Sequence, residues 1–198
     1  MAGPGAFTGA PKEPAMSTPT LVLVDVQNEY VTPGRPFHLA GIGPSLDNVR
    51  RLLARAREAG WRVVHVQHLQ PGAVFAPGTE HGAFVPGFEP AEGEAHVVKG
   101  KLSSYSEDAY RALIDAADGE VLIAGYGSTM CCLATVVSGA LFGHRYSFVH
   151  DASWARSPDG IMPESEVHRF ATATLAIHAR LTTTEAALAL APSAQAAA

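Results

Sequence analysis

Both cysteines of this 198-residue chain, Cys131 and Cys132, are neighbours in the segment AGYGSTMCCLAT. A disulfide between adjacent residues is strained, because bridged cysteines normally have Cα atoms farther apart than one peptide unit allows. Zinc sites use thiolates that are spaced by two or more residues. Two interpretations therefore stay open: both thiols are small buried apolar groups, or one of them is a nucleophile.

Three chemically active side chains each follow a predicted strand. Asp25 closes the apolar run LVLVDV, Lys99 follows HVV, and Cys131 begins a helix after EVLIAGYGS. Because the carboxyl ends of parallel strands lie at one edge of a sheet, we expect the three groups to converge. Asp25 would then accept a proton, Lys99 would hold the thiolate and Cys131 would attack. Taken singly, a turn-capping Asp25 and a solvated Lys99 are the more ordinary interpretations.

The segment before the cysteines predicts a sharp turn between strand and helix. Gly125 and Gly127 permit that turn, so that backbone N–H groups can face an oxyanion. A nearby lysine and a helix N-terminus both lower a thiol pKa, which predicts a reactive thiolate at Cys131. Cys132, one helical step further, is expected to point into the core and to be inert.

The elements that position these groups can be predicted from apolar runs that alternate with helical patterns. Strands are predicted at 21–26, 61–67, 96–100, 120–125, 145–151 and 180–184, and helices at 45–59, 107–116, 129–142 and 164–179. A Gly/Pro-rich loop follows the second strand, at 71–94. The alternation predicts a three-layer α/β/α fold around a doubly wound, mainly parallel sheet.

Composition predicts one domain at residues 19–190, with a disordered N-terminal extension at 1–18 and a flexible tail at 191–198. The chain is 47% hydrophobic and 17% charged, with a net charge of −5 and no basic stripe. Those values argue against nucleic-acid and membrane partners and favour a small-molecule substrate. No apolar run is long enough to span a bilayer, and residues 1–20 lack a signal-peptide core. We therefore expect a cytoplasmic protein.

The same residues resemble the isochorismatase-like cysteine hydrolases, which include nicotinamidases, N-carbamoylsarcosine and ureidoacrylate amidohydrolases, streptothricin hydrolases and isochorismatases. LVLVDVQNEY is similar to the opening motif of that family. The pattern Lys-x-x-x-Ser-small-aromatic is matched by Lys99–Tyr105, a spacing that selects Lys99 over Lys101. The pattern Gly-x-x-(Ser/Thr)-x-x-Cys-x-x-x-Thr is matched by Gly125–Thr135. The resemblance covers roughly residues 19–190.

The resemblance implies a mechanism. Asp25 would deprotonate Cys131, Lys99 would stabilise the ion pair, and water would hydrolyse the resulting acyl-enzyme. The amides of Gly127 and Cys131 would form the oxyanion hole, and a cis peptide would join Tyr126 to Gly127. Isochorismatases proper cleave a vinyl ether and commonly lack the cysteine. The thiol therefore favours hydrolysis of a C–N bond in a small amide, a ureido or carbamoyl compound, or a cyclic lactam.

The resemblance departs at the metal site of the nicotinamidases. His68 and Gln70 occupy the places of an Asp-x-His pair, and His81 falls near the place of a third ligand. Without the carboxylate and one imidazole this is a poor site for a hard metal, so we expect no metal and no cofactor. His68 would instead contact substrate or hydrogen-bond to the loop.

The predicted substrate-binding residues follow the strands or lie in the long loop. They are Asn28, Tyr30, His68, Tyr105, Tyr126, Phe84 and Phe88. Aromatic walls suit a planar or ring-bearing amide, although Phe84 and Phe88 equally suit a core that anchors the loop.

Alternative functions can be weighed against the same motifs. A vinyl-ether hydrolase and a catalytically silent binding protein remain alternatives, and the presence of all three polar groups disfavours the second. A nucleotide-binding protein would need a phosphate loop, which the glycines of GYGSTM do not form. Members of the family commonly assemble, so a homodimer or homotetramer is expected.

Overall fold

The computed structural model describes residues 17–158 and 161–190. Its six strands are β1 (Thr20–Val24), β2 (Arg62–His68), β3 (Ala95–Lys99), β4 (Val121–Tyr126), β5 (Ser147–Trp154) and β6 (Arg180–Thr182). Its helices are α1 (Asn28–Val31), α2 (Gly43–Glu58), α3 (Asp108–Asp115), α4 (Cys131–Leu141), α5 (Glu164–Leu175) and α6 (Thr184–Leu188), with 3₁₀ turns at Glu80–Gly82 and Ser104–Ser106. The predicted tail, and the predicted N-terminal extension up to residue 16, lie outside the described residues.

The strands form one sheet in the order β3-β2-β1-β4-β5-β6, and every pairing is parallel. The order reverses direction beside β1, which pairs with β2 on one side and β4 on the other. The predicted doubly wound α/β fold is therefore confirmed. Such a reversal point is where an open α/β sheet binds its ligand, beyond the carboxyl ends of the strands.

The residues of β1 alternate between two apolar cores, one on each face of the sheet. Leu21 and Leu23 belong to the core that α2 and α6 cover, whereas Val22 and Val24 belong to the core that α3, α4 and α5 cover. All five β1 residues are buried, as expected for a central strand with a helical layer on each side. The buried central strands therefore fix the positions of the residues that follow their carboxyl ends.

Several element boundaries differ from those predicted. β5 continues to Trp154, three residues beyond the predicted end, and α5 ends at Leu175 rather than at 179. The segment 176–179 turns tightly, with the amides of His178 and Ala179 both donating to the Leu175 carbonyl. No Gly or Pro marks that turn, so the helical pattern alone could not locate it.

The long loop at 71–94 is tied to the end of β1. Gln27 forms an isolated antiparallel bridge with Phe84, and its buried side-chain amide donates to the carbonyls of His68 and Gly82 at 2.9 and 2.7 Å. The oxygen of the same amide accepts the His68 backbone N–H at 2.8 Å. One side chain therefore fixes the position of the loop relative to β1 and β2.

Within the described part of the chain, no helix has both the length and the apolar character needed to cross a bilayer.

Candidate active site

A close approach between β1 and β4 positions Asp25, which follows β1, near the turn that leads from β4 to Cys131. Val24 pairs with Gly125, and a Cβ atom added to Gly125 would lie 2.1 Å from the Val24 carbonyl oxygen. The φ angle of Gly125 is +112°, which also favours glycine. Asp25 follows with a left-handed φ of 53°, a conformation that costs about 1–3 kcal/mol and is found mostly at functional sites.

Lys99 is at the centre of a buried polar cluster at the carboxyl ends of the strands. Its ammonium donates to Asp25 Oδ2 at 3.0 Å and to Cys131 Sγ at 3.3 Å. His68 Nδ1 accepts from the same ammonium at 3.2 Å. Lys99 is 1% exposed, which rules out a solvated surface lysine. The structure therefore brings together the three residues that the strand ends predicted, with His68 as a fourth.

The same geometry bears on metal binding. Ligand atoms of Asp25, His68 and Cys131 lie within 4.8 Å of one another, which is compatible with a cation site. The Lys99 ammonium already contacts all three side chains and supplies the positive charge there. Because His68 Nδ1 accepts from Lys99, its Nε2 carries the proton and donates to Gln70 Oε1 at 3.0 Å. His68 and Gln70 are thus bound to each other and to the cluster.

Burial determines the protonation state of the nucleophile candidate. It raises the pKa of Cys131, the Asp25 carboxylate raises it further, and Lys99 only partly opposes both. The expectation of a lowered thiol pKa is therefore wrong, and the resting sulfur carries its proton. Burial lowers the pKa of Lys99, but Asp25 and Cys131 outweigh this and raise it overall, so the ammonium stays charged.

The turn between β4 and α4, called the nucleophile turn because it leads to Cys131, hydrogen-bonds only some of its backbone amides. The Gly127 carbonyl accepts from the amides of Met130 and Cys132 at 2.8 and 3.0 Å. In the part of the chain that the structure describes, the amides of Gly127 and Cys131 have no hydrogen-bond acceptor. They are the two amides predicted for an oxyanion hole. The peptide between Tyr126 and Gly127 is trans, so the implied cis bond is not present.

A buried histidine, His168, connects this turn to β5. His168 Nε2 donates to the His150 carbonyl at 2.9 Å, so its Nδ1 accepts from Ser128 Oγ at 3.1 Å. Burial lowers the pKa of His168 and keeps the ring neutral. The Ser128 amide also donates to the Trp154 carbonyl at 3.3 Å. The turn that carries Cys131 is therefore anchored to β5 and α5.

A cavity of about 380 Å³ opens onto Cys131. Its aromatic walls are Tyr30, Phe37 and Phe75, with ring centroids of Tyr30 and Phe75 5.2 Å apart. Phe75 has a left-handed φ of 50°, which turns the loop so that its ring packs between Phe37 and His68. The volume suits a small ligand.

The polar part of the lining is sparse. His68 and Gln70 form one side, and Lys101, Leu102 and Met130 form the mouth. Among the described residues that line the cavity, no side chain is a carboxylate. The charged groups nearest the nucleophile are those of the buried cluster beneath it.

Comparison with known proteins agrees with this geometry. The model of the isochorismatase domain matches residues 19–186. The chain belongs to the isochorismatase family. A solved isochorismatase from Pseudomonas putida superposes with a TM-score of 0.78 at 29% identity, over 88% of this chain and 93% of that one. An uncharacterised isochorismatase family protein from Bacillus subtilis, YddQ, is 32% identical over 86% of this chain and 99% of its own length.

Relatives within the isochorismatase family include hydrolases of C–N bonds. A streptothricin hydrolase from Streptomyces noursei is 39% identical over 67% of this chain and 48% of its own length, so this chain matches about half of that relative. A maleamate amidohydrolase from Pseudomonas putida is 28% identical over 71% of this chain and 74% of its own length. The family of this chain therefore contains amidohydrolases.

The lysine motif of the isochorismatase domain has a positioning contact that sequence reasoning did not assign. The Ser104 amide donates to Thr135 Oγ1 at 3.0 Å, and the two hydroxyl oxygens also lie 3.0 Å apart. Ser103 Oγ donates to Ser138 Oγ at 2.9 Å. These bonds fasten the segment after Lys99 to α4, the helix that begins at Cys131.

Of the seven predicted substrate-binding residues, Tyr30 and His68 line the cavity. Asn28 donates to the Glu80 carbonyl at 3.0 Å and so anchors the long loop instead. Phe84 packs between His65 and His96, outside the cavity. Phe88 is 1% exposed and belongs to the core on the α2 face, as its alternative interpretation proposed.

Two predicted tyrosines lie away from the cavity for a reason of geometry. Tyr126 is fully buried, and its ring packs against that of Tyr30 at a centroid distance of 5.4 Å without lining the cavity itself. Tyr105 turns away from the nucleophile, and its hydroxyl lies 2.6 Å from His144 Nδ1 and 2.6 Å from Tyr146 OH. Closeness in sequence to a catalytic motif misled both predictions.

Phe37 and Phe75 are cavity residues that sequence reasoning missed. Both lie in irregular segments without periodicity, and their positions depend on local backbone turns. The Leu39 amide donates to the Tyr30 carbonyl at 2.9 Å, which folds the Phe37 segment back over α1. The only feature of the sequence that pointed to them as cavity residues is that each lies in a loop following a central strand, β1 or β2.

Proposed function

We propose that the protein is a cysteine-dependent hydrolase that cleaves a C–N bond of a small amide, ureido or lactam compound through an acyl-enzyme. The observation that carries the proposal is the position of Lys99. Its ammonium lies within hydrogen-bond distance of both Asp25 and Cys131, beneath a cavity that reaches the sulfur. Membership of a family with amidohydrolase relatives supports the choice of bond.

The proposed reaction begins with proton transfer from Cys131 to Asp25. The carboxylate lies within 4.8 Å of the sulfur, and its Oδ1 is buried without a hydrogen-bond partner among the described residues. The raised thiol pKa means that no thiolate waits in the resting site. Deprotonation would therefore accompany attack on the substrate carbonyl, with the Lys99 charge compensating the negative charge that forms.

The free amides of Gly127 and Cys131 would bind the oxyanion of the tetrahedral intermediate. Collapse of that intermediate breaks the C–N bond, and Asp25 returns its proton to the leaving nitrogen. A water molecule then attacks the thioester, or the thiocarbamate formed from a ureido compound, giving a carboxylate or a carbamate and regenerating the thiol. The net reaction adds one water to the amide. For a lactam, the ring opens and both fragments stay joined.

Assembly and location remain predictions. Leu141 on α4 and Phe170 on α5 are among the most exposed large apolar side chains, at 82% and 71%. They would be covered in the homodimer or homotetramer predicted from the sequence. Light scattering coupled to size-exclusion chromatography measures the mass directly. A monomer at micromolar concentration would overturn the expectation.

The experiment that tests the function measures ammonia release, with mass spectrometry of products, across primary amides, ureido acids, N-carbamoyl amino acids and lactams. Cys131→Ala should abolish turnover of every substrate. Cys132→Ala is the matched control, because Cys132 is fully buried, donates to the Tyr126 carbonyl at 3.3 Å and should keep most activity. Equal loss in both variants would mean that the nucleophile is wrongly assigned. Vinyl-ether cleavage that persists in Cys131→Ala would replace the proposed reaction.

A further inference from the structure

The cavity above Cys131 has an uneven charge distribution. At its floor, Asp25 and Lys99 form a buried pair whose charges offset each other. At its mouth, Lys101 is exposed and is the single charged side chain among the described lining residues. A ligand in this cavity therefore meets a net positive charge at the mouth and apolar rings along the walls.

Lys101 also differs from most basic residues of the chain in having no partner. In the part of the chain that the structure describes, nine other Lys and Arg side chains make ion pairs: Arg35, Arg50, Arg51, Arg55, Arg57, Arg62, Lys99, Arg111 and Arg180. Lys101 has neither an ion pair nor a side-chain hydrogen bond with any residue in the ranges 17–158 and 161–190. Its charge is thus available to a ligand.

A second cation, Arg156, lies against the aromatic wall of the cavity. The guanidinium carbon of Arg156 lies 5.5 Å from the ring centroid of Phe37, and within the described residues it has no acidic partner. Arg156 adds to the positive potential on the Phe37 side of the cavity. Arg145, which likewise has no acidic partner among the described residues, instead lines a hollow formed by the segments 119–121, 145–147 and 176–180, where β4 and β5 begin.

We propose that the substrate is a small amide or ureido compound that carries a carboxylate, and that Lys101 recognises this carboxylate at the cavity mouth. The inference rests on the proposed hydrolase function. The scissile carbonyl would lie against Cys131, the apolar body against Phe37 and Phe75, and the carboxylate against the Lys101 ammonium. For a primary amide the reaction is amide plus water to a second carboxylate plus ammonium, with the recognised carboxylate unchanged.

The same arrangement disfavours cationic amides. A substrate with an ammonium at this position would meet Lys101 as a like charge, and the described lining offers no acidic side chain to bind it. A cation–π contact with Phe37 would compete with Arg156. Specificity would then come from repulsion of the wrong substrate as well as from attraction of the right one.

The test uses three ring amides of matched size: 4-carbamoylbenzoate, its methyl ester and 4-carbamoylbenzylamine, which carry charges of −1, 0 and +1. A shorter pair, succinamate and its methyl ester, covers a substrate without a ring. Binding to the Cys131→Ala variant is measured by calorimetry, and turnover by wild type is measured in parallel. In at least one series the carboxylate-bearing amide should bind about tenfold or more tightly than its ester, a preference that added salt reduces.

Variants then assign the preference to Lys101. Lys101→Gln should weaken binding of the carboxylate-bearing amide about tenfold, raise KM more than it lowers kcat, and leave the neutral ester within about twofold. Lys101→Glu should reverse the charge preference. Arg145→Gln is the control for net charge and should change neither substrate. Equal binding of the acid and its ester in both series, or the same loss in Arg145→Gln, would overturn the proposal.

The two proposals fail differently. Charge-selective binding that depends on Lys101, without Cys131-dependent turnover, would support the recognition and reject the hydrolase. Cys131-dependent turnover with no preference for the carboxylate, or with a preference for the ammonium, would keep the hydrolase and reject Lys101 as its specificity residue. Absence of binding by either series would also reject the assignment.

Discussion

Two polar clusters of this protein each include a residue of the segment 99–105. They differ in how completely their polar groups are hydrogen-bonded. The first, called the catalytic cluster for its proposed role, contains Asp25, His68, Lys99 and Cys131 and opens to a cavity. Six residues after Lys99, Tyr105 joins a second cluster.

That second cluster, the tyrosine cluster, consists of Tyr105, Tyr110, Tyr146 and His144. The Tyr146 hydroxyl lies 2.6 Å from that of Tyr105 and 3.0 Å from that of Tyr110, and His144 continues the chain to Asp115 at 2.8 Å. Every side-chain polar group in this cluster has a partner.

The difference lies in what each cluster leaves unpaired. In the catalytic cluster, Asp25 Oδ1 has no hydrogen-bond partner among the described residues, and the Cys131 sulfur faces the cavity. An under-paired buried group costs stability but can accept a proton or attack a ligand. A saturated network instead rigidifies the fold. Polar groups removed from solvent thus support the proposed chemistry in one place and structure in the other.

Removing the charge of Lys99 should have the largest effect. In Lys99→Met the Asp25 carboxylate stays buried without its cation, so the fold should lose about 3–5 kcal/mol. Turnover should fall about 10³-fold or more, because nothing then compensates the negative charge on sulfur. Urea unfolding and single-turnover kinetics measure the two effects.

A double variant isolates the effect on stability. Adding Asp25→Asn to Lys99→Met removes both charges, so the free energy of unfolding should recover by at least half. Activity stays lost in this variant in any case, because Asp25 is the proposed proton acceptor. No recovery of stability would mean that Lys99→Met destabilises the fold through packing and not through the unpaired Asp25 charge.

Thr135→Val should have an intermediate effect, because Thr135 connects α4 to the lysine segment. The variant leaves the Ser104 amide without its acceptor, which should cost about 1–3 kcal/mol. Since the Lys99 segment then loosens, kcat should fall several-fold while binding changes little. Thr135→Ser keeps the hydroxyl and should restore both values. Failure of the serine variant to restore kcat would assign the effect to the lost methyl group.

Tyr146→Phe should affect stability alone. It removes the hydroxyl between Tyr105 and Tyr110, and the free energy of unfolding should fall by about 1–2 kcal/mol. Turnover at a temperature where the protein is folded should stay within about twofold of wild type. A tenfold loss of kcat without a change in melting temperature would contradict the contrast between the two clusters.

Alkaline pH should produce the smallest effect and should act through buried thiols as well as through the tyrosine cluster. Burial raises the pKa of Tyr105, Tyr110 and Tyr146 above the ordinary value of 10.0, and it raises the pKa of Cys131 and Cys132 above the ordinary value of 9.0. The unfolded chain therefore loses these protons first, so stability begins to decline above about pH 9 with the thiols and declines further above about pH 10 with the tyrosines. Urea unfolding between pH 9 and 11 measures the decline, which should be shallower in Tyr146→Phe. An equal slope in both proteins would mean that other groups dominate.

The positions of the candidate catalytic residues could be predicted, because each is attached to a strand end. Buried apolar runs locate strands well, and parallel strands bring their carboxyl ends to one edge. That reasoning placed Asp25, Lys99 and Cys131 without any contact information. It failed for the pKa of Cys131, because burial depends on the whole fold and raises this pKa more than Lys99 lowers it.

The walls of the cavity could not be predicted, because they depend on loop conformation. Phe75 reaches the site through a left-handed backbone turn that the sequence does not mark with glycine. Tyr126 was misplaced for another reason: it lies next to the turn before Cys131, but its side chain is fully buried against Tyr30 and does not reach the cavity. The strand ends are therefore predictable, whereas the side chains that line the cavity are not.

The catalytic cluster takes one group from each of four adjacent strands. Lys99 ends β3, His68 ends β2, Asp25 follows β1, and Cys131 follows the turn after β4. A chain cut between α3 and β4 would leave Cys131 on one fragment and the other three groups on its complement. Activity in a mixture of the two fragments would then report that β1 and β4 have paired, which makes turnover an assay for assembly of the sheet.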